Sequence, residues 1–360
     1  MRGVSARRPS PSDRHHRQAI LPGFGADAQE RLRASHALVV GCGALGCATI
    51  DLLARAGVGR LTLVDRDVVE VTNLQRQSLY VDADARAGTP KAEAAARRVR
   101  AIDPGIRADA CVEHVGPEAA AELVPDCDLV VDGLDNYRTR YLLNDAAVRF
   151  GRPFVHAGAV GLRGTSMPVL AGAAERLGTA RTDAPCLRCL FPDVPPAGEG
   201  ETCDTAGVLG PLAAMVGAHA AAQAIALLAG VPALLDRSLW SVDMAVHRTV
   251  RVPLAGASRD DCPCCALRRF EFLDAEDERC AVLCGRNAVQ VRPARASTID
   301  MGRMRARLAN AGDFAMDDGR LVGTVGGGLE LTVFGDGRAI VRGTADPVAA
   351  LAAYARYVGE

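Results

Sequence analysis

The residues best suited to metal chemistry are four cysteines in two pairs. Cys186 and Cys189 form one Cys-x-x-Cys pair, and Cys262 and Cys265 form another further along the chain. Two such pairs supply the four thiolates of a closed tetrahedral zinc site, although the gap between them is longer than in a compact zinc ribbon. We therefore predict a structural, non-catalytic zinc site, with Cys264 as a competing thiol between two of the ligands.

Two cations indicate phosphate chemistry. Lys91, in GTPKAE (88–93), is the only lysine among 360 residues. An ammonium is a compact, movable point charge, whereas the planar guanidinium of Arg76 can grip phosphate oxygens with two N–H groups. Two cations beyond what a pyrophosphate requires favour a triphosphate. Composition alone leaves open the alternative that one lysine survived by chance.

A nucleotide-binding pattern precedes these cations. Residues 36–67 alternate strand, helix and strand, with GCGALG (41–46) at the first turn and Asp65 at the end of the second strand. Glycines there let backbone N–H groups approach a phosphate at a helix N-terminus, and the acid can accept from ribose hydroxyls. An NAD-linked oxidoreductase is the default alternative for this pattern, and Arg76 and Lys91 argue against it.

A second strand–helix junction carries carboxylates. Residues 127–145 predict a buried strand ending near Asp132 and Asp135, followed by a helix. A carboxylate at the carboxyl end of a parallel strand lies at the ligand crevice, where it can hold Mg²⁺ against phosphates. Asp135 is the preferred candidate, and Asp132 is expected to cap or hydrogen-bond locally. The alternative is that Asp135 only caps the following helix.

Composition limits the other possibilities. The net charge is −1 and aromatic residues make up 4% of the chain, which argues against a nucleic-acid partner. No apolar run reaches the length of a membrane span, and the most apolar segment (215–230) is predicted to be a buried helix. Cysteine pairs of metal-ligand spacing indicate a reducing, cytoplasmic environment. His156, His219 and His247 are expected to be packing or surface residues. Six further cysteines are expected to be ordinary buried small residues: Cys42, Cys47, Cys111, Cys127, Cys280 and Cys284.

Three segments are predicted. Residues 1–13 form a disordered lead-in, 14–268 form the nucleotide-binding domain with the cysteine pairs, and 269–360 form a small α/β module. In that module, alternating apolar residues and a Gly-Asp-Gly turn at 335–337 predict strands, followed by a closing helix at 346–359. It is too short for a rhodanese domain, and its strand order does not fit one. We expect it to support carrier docking or dimerisation.

Six motifs taken together resemble the ThiF/MoeB/HesA family of adenylyltransferases, which are related to ubiquitin-activating enzymes. They are HRQ (16–18), VGCGALG (40–46), LTLVDRDVVEVTNLQRQ (61–77), GTPKAE (88–93), LDNYRTRYLLND (134–145) and GVLGP (207–211), and both cysteine pairs match as well. The resemblance covers about residues 14–265. It implies an enzyme that is built on a Rossmann-like, doubly wound α/β sheet, uses ATP and Mg²⁺, and carries a structural Zn²⁺. The alanine at position 44 departs from the glycine common in the family, and we expect ATP still to bind.

The resemblance also implies a reaction and partners. The C-terminal Gly-Gly carboxylate of a ubiquitin-like sulfur carrier, ThiS- or MoaD-like, would attack the α-phosphate of ATP during thiamin or molybdopterin synthesis. A homodimer, with Arg17 reaching the partner's ATP site, and a cysteine desulfurase or other sulfur donor are expected. Cys203 would take part in thioester or persulfide chemistry, or be a spectator thiol.

The predicted site residues follow from these motifs. The catalytic set is Arg17, Arg76, Lys91, Asp135 and Cys203. The nucleotide-binding set is Gly41, Gly43, Ala44, Gly46, Asp65, Thr72, Asn73, Leu74, Gln75, Arg76, Lys91, Asp135 and Asn136.

Overall fold

The structure is a computed structural model that describes residues 14–194, 203–275, 280–283, 287–293, 298–317 and 319–359. The predicted lead-in (1–13) and Cys284 lie outside the described residues. Eight strands form the larger of two sheets: β1 His36–Val40, β2 Arg60–Val64, β3 Arg107–Cys111, β4 Leu129–Asp132, β5 Phe154–Val160, β6 Arg163–Val169, β7 Ser238–Asp243 and β8 Arg248–Pro253.

Helices connect and flank these strands. In chain order they are α1 His16–Ala19, α2 Gly25–Ala34, α3 Ala44–Ala56, α4 Asp82–Ala87, α5 Lys91–Ile102, α6 Pro117–Leu123, α7 Tyr137–Arg149, α8 Leu187–Leu190, α9 Cys203–Ala206 and α10 Gly210–Leu228. The short 3₁₀ turn Val71–Asn73 lies between β2 and α4.

The strand order of the large sheet is β3-β2-β1-β4-β5-β6-β7-β8. The first five strands in this order run parallel, and β6, β7 and β8 continue the sheet as antiparallel strands. The order reverses between β1 and β4, and ligands of open α/β sheets bind outside the carboxyl ends of the strands at such a switch point. This arrangement confirms the predicted Rossmann-like sheet.

Both faces of the sheet are covered. On β1, Ala37 and Val39 pack in a core shared with α3, α5 and α10, whereas Leu38 and Val40 pack in a second core with α7. Successive side chains of a strand point to opposite faces, so an uninterrupted apolar strand is buried twice. Phe270 also joins the second core, two residues beyond the predicted boundary at 268.

The helix α10 is long and apolar enough to cross a membrane by length and composition alone. Its 19 residues begin five residues before the apolar segment considered in the sequence (215–230) and end two residues before that segment ends. Leu212, Val216 and Ala220 are buried in the core, and Gly217 packs closely on α3, where an added Cβ would lie 2.7 Å from the Ala48 Cβ. Half of its most apolar window is buried inside the molecule, as expected for a core helix.

A second sheet follows the cysteine pairs. Its strands are β9 Cys280–Leu283, β10 Ala288–Val291, β11 Phe314–Asp317, β12 Arg320–Val325, β13 Leu329–Val333 and β14 Ala339–Arg342. They pair antiparallel in the order β11-β12-β13-β14-β10-β9. The helices α11 Met301–Leu308 and α12 Pro347–Tyr357 pack on this sheet around Leu331, Val341 and Tyr354.

Candidate functional site

Two glycine loops touch at the switch point. Gly41 follows β1 with a φ of +92°, and Gly133 follows β4. A Cβ at Gly41 would lie 2.5 Å from the Gly133 carbonyl oxygen, and one at Gly133 would lie 2.2 Å from the Gly41 carbonyl oxygen. Only glycine permits this approach at both positions. The contact places the start of α3 beside the loop that carries Asp135.

The helix α3 begins at Ala44, directly after the glycine-rich turn. Gly46 faces away from ligand space: its added Cβ would lie 2.0 Å from the Gly41 carbonyl oxygen, so its role is close packing of the helix on the turn. The Asp65 carboxylate accepts from the backbone N–H of Cys42 (2.7 Å) and of Asp67 (2.8 Å). Burial raises the pKa of Asp65. Asp65 therefore holds the turn as well as facing the cavity.

The lone lysine begins α5 and is 7% exposed. Its Nζ donates to the Asp67 Oδ2 at 3.0 Å. Burial acts to lower the pKa of Lys91, but the charges of Asp65 and Asp67 outweigh it and raise the pKa. Burial acts to raise the pKa of Asp67, and Lys91 brings it below its ordinary value. The pair is therefore ionised, with its cation held at the edge of a cavity.

This first cavity gathers most of the predicted nucleotide residues. Those lining it are Gly41, Gly43, Ala44, Asp65, Asn73, Arg76, Lys91, Asp135 and Asn136. Gly46, Thr72, Leu74 and Gln75 are not among its lining residues, and their contact with the nucleotide stays a prediction. The Thr72 carbonyl accepts a hydrogen bond from the Arg76 Nη1 at 2.9 Å. Thr72 thus orients Arg76.

Asp135 is exposed and does not cap α7. The cap is the neighbouring Asn136, whose Oδ1 accepts from the Thr139 backbone N–H at 3.0 Å. The carboxylate of Asp135 is therefore not needed for helix capping. It lines the first cavity and also a second one.

The second cavity, about 580 Å³, lies over the antiparallel strands. Its lining includes Tyr137, His156, Arg163, Phe191 and Val250 from α7, β5, β6, the segment after α8, and β8. It shares Leu134, Asp135 and Ala159 with the first cavity. The two cavities therefore meet at the loop between β4 and α7.

A buried network, which we call the α7 network, holds this loop. Asp132 Oδ2 accepts from Arg140 Nε at 2.6 Å and lies 2.9 Å from His156 Nδ1. Arg140 Nη2 donates to the Leu134 carbonyl at 2.8 Å, and Asp132 Oδ1 accepts from the Leu134 N–H at 3.0 Å. The local hydrogen bonding expected of Asp132 is present, but its main partners come from α7 and β5.

Burial and neighbouring charges shift the pKa values of Asp132 and His156 in the α7 network. Burial acts to raise the pKa of Asp132, but Arg140 and then His156 bring it below its ordinary value. Burial lowers the pKa of His156, and its Nε2 lies 3.2 Å from the Thr165 Oγ1. His156 was interpreted from the sequence as a packing residue. Only the sheet order, which brings β5 beside β4, reveals its polar role.

The four cysteines of the two pairs converge. Their sulfur atoms all lie within 4.8 Å of one another, with Cys186 Sγ 3.5 Å from Cys262 Sγ and Cys189 Sγ 3.4 Å from Cys265 Sγ. Four sulfurs at about 2.3 Å from a tetrahedral zinc would be about 3.8 Å apart, so the set fits that ion. Cys264 is excluded from the cluster and accepts from the Asn144 Nδ2 at 3.3 Å.

Of the two other predicted catalytic residues, Arg17 is not among the lining residues of either cavity. Arg17 is exposed on α1. Cys203 begins α9, and its side chain is outside the described part of the structure. Polar lining residues of the first cavity that were not predicted from the sequence include Gln77, Glu113, His114, Arg138 and Arg356. Gln77 and Arg138 lie inside the quoted motifs and could have been found there, whereas Glu113, His114 and Arg356 carry no local signal.

Comparisons with known proteins agree on one family. A family model described as "ThiF family" matches residues 15–264. The chain is 36% identical over 350 residues to the sulfur carrier protein ThiS adenylyltransferase of Bacillus subtilis, covering 96% of this chain and 99% of that protein. It is 41% identical over 256 residues to a sulfur carrier protein adenylyltransferase of Thermus thermophilus, covering 68% and 90%.

A solved structure of Escherichia coli MccB with MccA-N7isoASN has a TM-score of 0.59 to this chain at 21% identity. The match covers 72% of this chain and 76% of that one, and at this identity it shows the fold alone.

Proposed function

The chain belongs to the ThiF family, and we propose that it is an ATP-dependent adenylyltransferase for the C-terminal Gly-Gly carboxylate of a ubiquitin-like sulfur carrier. The observation that carries this proposal is the junction of the two cavities at Leu134, Asp135 and Ala159. A nucleotide in one cavity and a peptide terminus in the other would meet there, as transfer of an adenylyl group to a carboxylate requires. The names of the relatives support adenylyl transfer, and nothing in them supports the NAD-linked alternative.

In the first cavity, the backbone N–H groups at the start of α3 face the phosphates. Each oxygen of the Asp65 carboxylate has a second lone pair beyond the backbone N–H it already accepts, so it can still accept from ribose hydroxyls. Asn73, Arg76 and Lys91 line the same cavity. Lys91 would exchange Asp67 for phosphate oxygens when the nucleotide enters.

In the reaction, a carboxylate oxygen of the carrier forms a bond to the α-phosphorus, and the bond from that phosphorus to the bridging oxygen breaks. Pyrophosphate leaves and an acyl-adenylate remains. No general base is needed, because a terminal carboxyl group with an ordinary pKa near 3.5 is already ionised at neutral pH. The protein's task is to bring two anions together and to neutralise the leaving group, which Arg76 and Lys91 would do.

Mg²⁺ would be held by Asp135, whose exposed carboxylate is a hard oxygen ligand at the junction of the cavities. When bound, this ion neutralises phosphate charge. The cysteine cluster supports a structural Zn²⁺, because four protein ligands leave no open position.

The remaining assignments rest on family likeness. A homodimer would bring the exposed Arg17, which does not line the first cavity of its own chain, to the partner subunit's first cavity. Cys203 would either attack the acyl-adenylate, forming a thioester and releasing AMP, or take the outer sulfur of a persulfide on a donor such as a cysteine desulfurase, leaving the donor as a thiol. The pathway would be thiamin or molybdopterin synthesis, in the cytoplasm, where the cysteines remain reduced.

The test is ATP–pyrophosphate exchange with purified protein and candidate carriers. We expect exchange with a carrier ending in Gly-Gly and none with the same carrier lacking its last glycine. Absence of exchange with every Gly-Gly carrier of the source genome would refute the proposal. Zinc content near one per chain would support the cysteine assignment independently.

A further inference from the structure

One side of the first cavity comes from the C-terminal module. Leu351, Ala352, Ala355 and Arg356, all on α12, line it. The last three lie one, four and five residues after Leu351, which places all four side chains on one face of the helix. The remaining face of α12 packs into the module's own core through residues such as Tyr354. The helix is therefore shared between the module and the cavity.

Contacts hold α12 in this position. Arg66, which follows β2 and Asp65, donates from Nη1 to the Val348 carbonyl at 3.3 Å. At the other end of the helix, Arg307 Nη2 donates to the Val358 carbonyl at 2.7 Å, which ties α12 to α11. The Asn310 Nδ2 of the module lies 3.5 Å from the carbonyl of Thr205 in α9. The module thus contacts both the end of β2 and the helix that carries Cys203.

The chemistry of the lining fits a nucleotide. Ala352 and Ala355 present only methyl groups, which leaves room beside the cavity. Arg356 adds a guanidinium close to Asp67: burial acts to raise the pKa of Asp67, and Lys91, Arg66 and Arg356 lower it. Residues at the end of the second strand of this fold face the ribose of a bound nucleotide. α12 lies against that end of the cavity.

We propose that α12 is a structural part of the nucleotide site and that Arg356 contacts the adenosine half of the bound nucleotide. The C-terminal module then completes the site. The inference depends on the proposed function, which places ATP in the first cavity. It assigns to the module a role beyond the carrier docking or dimer support expected from the sequence.

The first test fills the space beside α12. In full-length protein, Ala352→Leu should weaken binding of both ATP and AMP by about tenfold, because the larger side chain occupies the adenosine position. Affinities are measured by competition against a fluorescent ATP analogue. The control is Ala349→Leu, on the same helix but outside the cavity lining, which should bind both nucleotides like the wild type.

The second test removes the cation. Arg356→Ala should weaken ATP and AMP by the same factor, about tenfold, whereas Arg305→Ala on the exposed face of α11 should change neither. Unchanged affinities in both α12 variants would overturn the inference. Weakening of ATP without AMP would also overturn it, because Arg356 would then serve the outer phosphates. Wild-type protein that binds no ATP would refute the proposed function instead.

Discussion

Two charged centres lie near the carboxyl ends of β2 and β4, on either side of β1, and they differ in what surrounds them. The Asp67–Lys91 pair lies at the first cavity: Lys91 is buried, but the side chain of Asp67 is 44% exposed. In the α7 network, the side chains of Asp132, Arg140 and His156 are 0%, 8% and 5% exposed, and backbone groups satisfy the spare donors. The half-exposed pair can exchange partners for phosphate, whereas the enclosed network can only hold its loop in place.

The helix α7 also holds the segment around the first cysteine pair in place. Asn144, one turn beyond Arg140, accepts from the Leu187 N–H at 2.8 Å and thereby positions the segment between Cys186 and Cys189. One helix therefore links the α7 network to the cysteine cluster. Substitutions on this side should mainly lower the stability of the fold, whereas substitutions at the Asp67–Lys91 pair should mainly change nucleotide binding and the rate of adenylation.

The largest effect is expected from losing a cysteine ligand. Cys262→Ala should abolish zinc retention and destabilise the fold by several kcal/mol, because metal binding free energy contributes to folding. Metal analysis and denaturant unfolding measure both. The control is Cys264→Ala, which should keep the zinc. Retention of one zinc per chain by Cys262→Ala would contradict the assignment.

Breaking the α7 network should be next. Asp132→Ala leaves Arg140 buried without its carboxylate and should cost about 3–5 kcal/mol of unfolding free energy in urea. The exposed Asp126, which pairs with Arg60, provides the comparison: Asp126→Ala should cost about 1 kcal/mol or less. Similar losses for the two variants would show that burial does not distinguish the networks.

At the other centre, Lys91→Arg should leave the unfolding transition nearly unchanged and slow adenylation about 100-fold. The larger, planar guanidinium cannot occupy the position of a compact ammonium at a buried point. Pyrophosphate exchange gives the rate, and Arg98→Lys on the exposed face of α5 is the control. Wild-type turnover by Lys91→Arg would remove the catalytic role of the lysine.

The enclosed histidine should make stability depend on pH. Burial lowers the pKa of His156 below its ordinary value of 6.5. Between that lowered pKa and pH 6.5, the unfolded chain therefore binds a proton that the folded chain does not bind. Its contribution is therefore complete above about pH 6.5 and declines as the pH falls toward the lowered pKa, by at most about 1.4 kcal/mol per pH unit. His156→Gln should flatten this part of the stability profile, whereas His16→Gln, on exposed α1, should not.

The smallest effect concerns the partner of the lysine. Asp67→Asn removes a competitor for Lys91 and one negative charge from the cavity, so ATP should bind about threefold tighter. Equilibrium binding measures it, with the exposed Asp82→Asn as the control. Weaker binding would mean that Asp67 itself contacts the nucleotide.

Much of the parallel half could be predicted, because its signals are local. The glycine-rich turn, Asp65 at the end of β2 and the start of α5 at Lys91 lie within short segments whose strand and helix patterns are unambiguous. The cysteine spacing likewise predicted a cluster that the structure assembles. Gly46 and Thr72 are not among the lining residues of the first cavity, so their contact with a nucleotide stays a prediction.

Sequence alone determined the strand–helix alternation, the glycine turn, the lone ammonium and the thiol pairs, since each depends on neighbours within a few residues. Tertiary structure decided what meets across the chain. It brought Gly41 against Gly133, His156 beside Asp132, and Arg356 on α12 to a cavity whose residues outside that helix lie more than 100 positions earlier. Such contacts depend on strand order and helix docking, which no local pattern encodes.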